Sequence, residues 1–104
     1  MSRRYTKRAA AQFAVGLDFS TFPVAAGETL AASNAVGSLA VTATDAAGAD
    51  ASAAVIDGAP WISGTQVRWL LKRGTPAGWY EIVIAAPTSD GELLVDRQRL
   101  EVLP

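Results

Sequence analysis

The chain contains no cysteine and no histidine. Without cysteine it has no disulfide framework, no thiolate metal site and no thiol nucleophile. Without histidine it lacks the commonest general base and the commonest metal ligand, so neither a Ser-His-Asp triad nor a conventional zinc centre can be assembled. It also lacks an excess of positive charge: 9 Lys and Arg stand against 10 Asp and Glu, a net charge of −1. That balance argues against nucleic acid as a partner, because such domains carry a clear basic excess. No apolar run approaches the ~20 residues needed to span a bilayer. Gln12, Gly16 and Asp18 interrupt the apolar stretch behind the basic N-terminus, so neither a signal peptide nor membrane insertion is expected. Neither Gly-x-Gly-x-x-Gly nor the P-loop pattern occurs, and Gly58, Gly64, Gly74 and Gly78 read as turn punctuation.

Half of the 104 residues are apolar, enough for one packed domain without staples. Alanine supplies much of that half, and small side chains bury little area. The core therefore falls to the large residues Phe13, Leu17, Trp61, Trp69, Tyr80, Ile82 and Ile84. Each stabilises by roughly 1.5–3 kcal/mol when fully buried. Charge is uneven along the chain. Arg3, Arg4, Lys7 and Arg8 form a basic start without an acid, residues 9–64 carry only acids, and the last third mixes both signs.

Residues 1–12 are polar, basic and without period-2 pattern, and read as an N-terminal arm; residues 13–104 read as the folded domain. Phe13, Val15, Leu17 and Phe19 alternate with smaller or polar residues, which is the periodicity of a half-buried strand. Pro23 and Gly27 mark a turn. Further strands are expected over 28–36, 39–44, 53–56, 66–72, 79–86 and 92–103, with a loop or hairpin tip at 45–52. In the last strand Leu93 and Val95 differ in parity from Leu100 and Val102, so a bulge near Arg97-Gln98-Arg99 is expected to restore one buried face. About seven short strands with turn signals every ~8–12 residues predict an all-β, Ig-like Greek-key β-sandwich.

Sites of chemistry are sparse. Asp45 and Asp50 flank a Gly-containing loop, but calcium needs about six to eight oxygen ligands, and a solvated turn explains them. Asp90, Glu92 and Asp96 lack the aromatic cluster of a glycosidase cleft. No catalytic residue, metal ligand or cofactor is assigned, and the chain is expected not to be an enzyme. Trp79 has the opposite parity to Tyr80 and is expected at the surface as a contact anchor. The basic arm has three readings: a solvated tail, a docking element for an acidic protein neighbour, or a nucleic-acid contact. The protein-binding candidates are therefore Arg3, Arg4, Lys7, Arg8 and Trp79. Deleting residues 1–8 is expected to leave the domain folded. Arg68, Lys72 and Arg97 form either a contact patch or a solvated face.

The stretch Ser63-Gly64-Thr65-Gln66-Val67-Arg68-Trp69-Leu70-Leu71-Lys72-Arg73-Gly74-Thr75 is followed by Gly78-Trp79-Tyr80-Glu81-Ile82-Val83-Ile84 and Thr88-Ser89-Asp90-Gly91. Upstream stand Leu17-Asp18-Phe19-Ser20 and Gly27-Glu28-Thr29-Leu30. Over residues 13–103 this order resembles the small virion proteins of tailed bacteriophages called fiber-tail adaptors. In these an L-D-[FW]-S start is followed by G-[DE]-T-[IL], S-G-T-x-V, G-T-x-G-x-x-Y and T-x-x-G. Two departures stand out: Arg73 replaces a glycine before the turn, and the basic arm lies outside the plan. The resemblance implies a non-enzymatic component of the tail, neck or fiber-attachment region, made in the host bacterial cytoplasm. It implies binding to other virion proteins in a symmetric multicopy array, with no cofactor and no membrane. A capsid decoration or head-fiber protein and a carbohydrate-binding Ig-like module are the alternatives.

Overall fold

A computed structural model describes residues 3–19 and 29–104. The expected turn at Pro23 and Gly27, the start of the strand at Glu28, and Ser20, Gly27 and Glu28 of the resemblance lie outside the described residues. Among the described residues the fold is all-β apart from one helical turn. Seven strands are β1 (Arg3–Arg8), β2 (Phe13–Asp18), β3 (Ala40–Asp45), β4 (Ile56–Ser63), β5 (Gln66–Leu71), β6 (Gly78–Pro87) and β7 (Leu93–Leu103), and α1 (Ser52–Val55) is the turn. One sheet has the order β1-β7-β6-β3, the other β2-β5-β4. All pairings are antiparallel except β1 with β7, which is parallel.

Alternation sets the core. Val15 and Leu17 of β2, Val67, Trp69 and Leu71 of β5, and Ile82 and Ile84 of β6 point inward and are buried. Leu100 and Val102 of β7 join them, so side chains from both sheets form one cluster. Of the residues expected to dominate it, Leu17, Trp69, Tyr80, Ile82 and Ile84 are buried, whereas Phe13 and Trp61 are exposed. Trp61 is opposite Arg68 in register, on the outward row of its sheet, and Phe13 begins its strand. Among the described residues the Trp69 indole N–H has no acceptor.

Turns follow side-chain chemistry. Gly64 has φ +61° and precedes Thr65 in the two-residue loop joining the paired Ser63 and Gln66. Thr65 has no positive φ, and a positive φ at the first central residue alone marks the type II′ hairpin turn. After β5 the chain turns on Gly74, φ +82°, and the single hydroxyl proton of buried Thr75 is shared between the carbonyls of Ala54 and Lys72, both at 2.9 Å. Among the described residues no non-glycine residue has a positive φ, so Arg73 carries no backbone strain in the place where the resembling proteins have glycine.

Four expectations are corrected. Where described, the expected arm over residues 1–12 is not free: residues 3–8 pair along β7 from Arg3 opposite Gln98 to Arg8 opposite Leu103. Thr6 is exposed and Lys7 buried, a period-2 feature that the run of cations obscures. The expected strand over 28–36 is, where described, two isolated bridges, Leu30 with Thr88 and Ser33 with Ser38. Asn34 organises that stretch: its Oδ1 accepts from the amides of Val36 and Gly37, and its side-chain amide donates to the carbonyls of Thr88 and Glu92. Residues 52–55 form α1 instead of a strand, and β4 runs past Gly58 and Pro60 through a register shift between Asp57 and Trp61. Finally, β7 has no bulge against β6. The parity conflict is resolved by content: Gln98 occupies a core position at 1% exposure, and Val95 faces outward at 49%.

Candidate protein-docking site

Trp79 is the second residue of β6, and the parity that buries Tyr80 turns it outward, where it is 38% exposed. The antiparallel register sets Trp79 opposite Glu101 and Glu81 opposite Arg99. Arg99 reaches diagonally across, with its guanidinium carbon 5.7 Å from the Trp79 ring centroid, within cation–π range. Glu81 accepts from Arg97 Nη1 at 2.8 Å, a solvent-exposed ion pair of small energetic weight. Beside Trp79 lies an open groove of about 480 Å³ lined by Thr44, Asp45, Glu81 and Arg99 among others.

The hairpin after β3 forms one wall of this groove. Asp45 Oδ1 accepts from the amides of Ala47 and Ala49 at 2.9 and 3.0 Å, an Asx-type closure of the turn. Asp50 Oδ1 accepts from the Ser52 hydroxyl at 2.8 Å and from its amide at 3.2 Å. These bonds hold the Asp50 carboxyl below the ordinary aspartate value. Both carboxylates are thus engaged in shaping backbone. Among the described residues no cluster of three or more His, Cys, Asp or Glu side chains converges as a metal site.

The basic candidates divide. Lys7 is 3% exposed, and its ammonium donates to the carbonyls of Arg8, Ala9 and Ala11 at 2.8, 3.3 and 2.9 Å. Burial lowers its pKa from the ordinary lysine value. It bolts the crossover from β1 to β2 and is not an accessible docking cation, which corrects its place among the contact residues. Arg8 is exposed, with Nη1 3.5 Å from the carbonyl oxygen of Pro104. Strand pairing places Arg4 opposite Arg99 and Thr6 opposite Glu101, so the N-terminal segment joins the sheet that carries Trp79.

Arg68, Lys72 and Arg97 do not form one patch. Arg97 is on β7, whereas Arg68 is on β5 in the other sheet and Lys72 follows it. A Cβ on Gly16 would come within 3.3 Å of Arg68 Cγ, so the glycine leaves room for that stem on the sheet. Lys72 Nζ donates to the Ala53 carbonyl at 3.0 Å. Exposed Trp61 and Trp79 likewise lie in different sheets, so these two do not form the single row of aromatics that a glycan-binding face requires.

Arg99 was missed by sequence reasoning. Its signal is the hairpin register: once 88–92 is read as the loop between β6 and β7, Arg99 lies two positions diagonal to Trp79. The chain matches no protein-family model and no curated protein sequence.

Proposed function

We propose that the chain is a non-enzymatic structural component of a tailed bacteriophage particle. It acts as an adaptor in the tail, neck or fiber-attachment region and binds neighbouring virion proteins in a symmetric multicopy array. It is made in the host bacterial cytoplasm and resides in the virion. The observation that carries the binding reading is convergence. Trp79, Arg99 and the basic strand β1, far apart in sequence, belong to one sheet and are linked by continuous register. An exposed tryptophan with an arginine beside it has the composition of an interface anchor. The virion assignment is supported by the ordered motifs of residues 13–103.

The finer architecture belongs to the same proposal. The order β2-β5-β4 corresponds to strands B-E-D of an Ig-like sandwich, and β3-β6-β7 to C-F-G. The Tyr80 hydroxyl donates to the Pro76 carbonyl at 2.8 Å. A tyrosine at the start of strand F bonding backbone a few residues upstream is the tyrosine corner of such folds.

Gold labelling of purified particles with an antibody to this chain tests the assignment. Gold at the neck or tail is the expected result. Gold over the head would favour the decoration or head-fiber alternative. No label on intact or partly disrupted particles would sink the virion assignment.

A further inference from the structure

We infer that the outer edge of β1 is a strand-addition site for an acidic, extended segment of a protein partner. The inference rests on the reading of this chain as a protein-binding component and names the partner chemistry.

A sheet edge attracts another strand when its outward backbone groups are unused. Among the described residues there are four edge strands, β1 and β3 in one sheet and β2 and β4 in the other, and three are largely occupied or broken. Along β3 the outward groups belong to alternate residues. The Leu39 amide, just before the strand, donates to Ala32, and the Ala43 amide donates to Ser52 Oγ while its carbonyl accepts from Ala51. The Asp45 amide donates to Ala49, so among the described residues Val41 alone keeps outward groups without a partner, too short an opening for an added strand. On β2, Gly16 and Asp18 each carry a further interaction. The edge of β4 is broken by its register shift and by Pro60, which has no N–H to offer.

The β1 edge is different. The Ala9 amide donates to the Leu103 carbonyl at 2.8 Å, which sets the parity of the parallel ladder. Residues 5, 7 and 9 direct their backbone groups to β7, so the amides of Arg4, Thr6 and Arg8 face away from it. The Arg8 carbonyl is already used by the Ala11 amide and by Lys7 Nζ. That leaves a short edge ending at Arg8, enough for a few ladder bonds.

Charge selects the occupant. The strand reads Arg-Arg-Tyr-Thr-Lys-Arg, three arginines besides the buried Lys7 and no acid, while in β7 beside it Arg97 and Arg99 are balanced by Asp96 and Glu101. Pairing β1 with β1 of a second copy would stack like charges, which is unfavourable across strands. An extended segment carrying glutamate or aspartate at alternate positions supplies both missing ladder bonds and opposite charge.

The test uses the full chain with a short peptide of alternating glutamate and threonine, and the lysine–threonine peptide as control. The glutamate peptide should slow hydrogen exchange at the Thr6 and Arg8 amides by about tenfold and leave amides along β3 and β4 unchanged. Thr6→Pro removes one outward N–H and no bond to β7, a change that edge strands tolerate. It should keep the thermal midpoint and abolish the protection. Should that variant fail to fold, Arg8→Glu gives a second reading, because it should weaken the glutamate peptide and favour the lysine one. Equal protection by both peptides, protection confined to another edge, retained binding in a folded Thr6→Pro variant, or self-association through β1 would each overturn the inference. Gold labelling is unaffected by these results, so failure here is separable from failure of the virion reading.

Discussion

At the scale of single residues, Lys7 shows how position overrides residue type. It lies in a run of cations, yet only its neighbours reach solvent, because strand parity turns its side chain inward. Lys7→Met keeps much of the stem and removes the donors. The Arg8 and Ala9 carbonyls retain the amides of Ala11 and Gly74, so the Ala11 carbonyl bears the loss. Urea denaturation should show a loss of about 1–3 kcal/mol, whereas Arg8→Met should be close to neutral. Asp50 is a second case. Its folded pKa lies below the ordinary 3.8 because the Ser52 hydroxyl and amide favour the carboxylate. Its contribution to stability is therefore present above that ordinary value and is lost as pH falls through the folded one. An NMR titration should place Asp50 below 3.8, and Ser52→Ala should return it toward that value. The paired aspartates were legible as turn formers from their Gly-containing context, but the Ser52 partnership was not, because nothing in the sequence marks that side chain as folding back.

Among elements, what was readable followed from clean alternation. The strands β2, β3, β5 and β6 were visible in Val15-Leu17, Val41-Ala43, Val67-Trp69-Leu71 and Tyr80-Ile82-Ile84. Each of these sets is buried on one face. Failures arose where content broke the pattern. A buried Gln98 and an exposed Val95 mimic a parity shift, so β7 suggested a bulge that is absent. Gly58 and Pro60 suggested a strand end, and the sheet instead absorbs them in a register shift. Residues 52–55 have the small side chains that either a strand or a helical turn accepts. Two substitutions probe the elements that were read correctly. Gly64→Val forces a β-branched residue to a φ of +61° in the β4–β5 turn, and should cost about 1–2 kcal/mol with the fold retained. Tyr80→Phe removes the hydroxyl bond to Pro76, and should cost about 1 kcal/mol as measured by thermal or chemical denaturation.

For the whole molecule, the two-sheet architecture was legible from strand count and turn spacing, but the membership of residues 3–8 was not. A parallel pairing between the first and last strands joins segments about as distant as the chain allows, and no local pattern announces it. The consequence reverses one expectation. Deleting residues 1–8 removes β1 and the Lys7 bolt together, so the truncated chain should be markedly less stable than the full one, not merely defective in docking. Trp79→Ala should behave in the opposite way. It removes a partly exposed ring and its cation–π contact with Arg99, costing about 1 kcal/mol for that contact, while lowering incorporation into particles.

The docking account depends on β1 being part of the sheet in the isolated chain. NMR of the full-length protein in solution tests that most directly, through cross-strand nuclear Overhauser contacts between Tyr5 and Leu100 and between Lys7 and Val102, which the register sets opposite each other. The account predicts these contacts together with slow exchange at the Tyr5, Lys7 and Ala9 amides. Random-coil shifts and fast exchange throughout residues 3–8 would contradict it, and would return the N-terminal segment to a free arm.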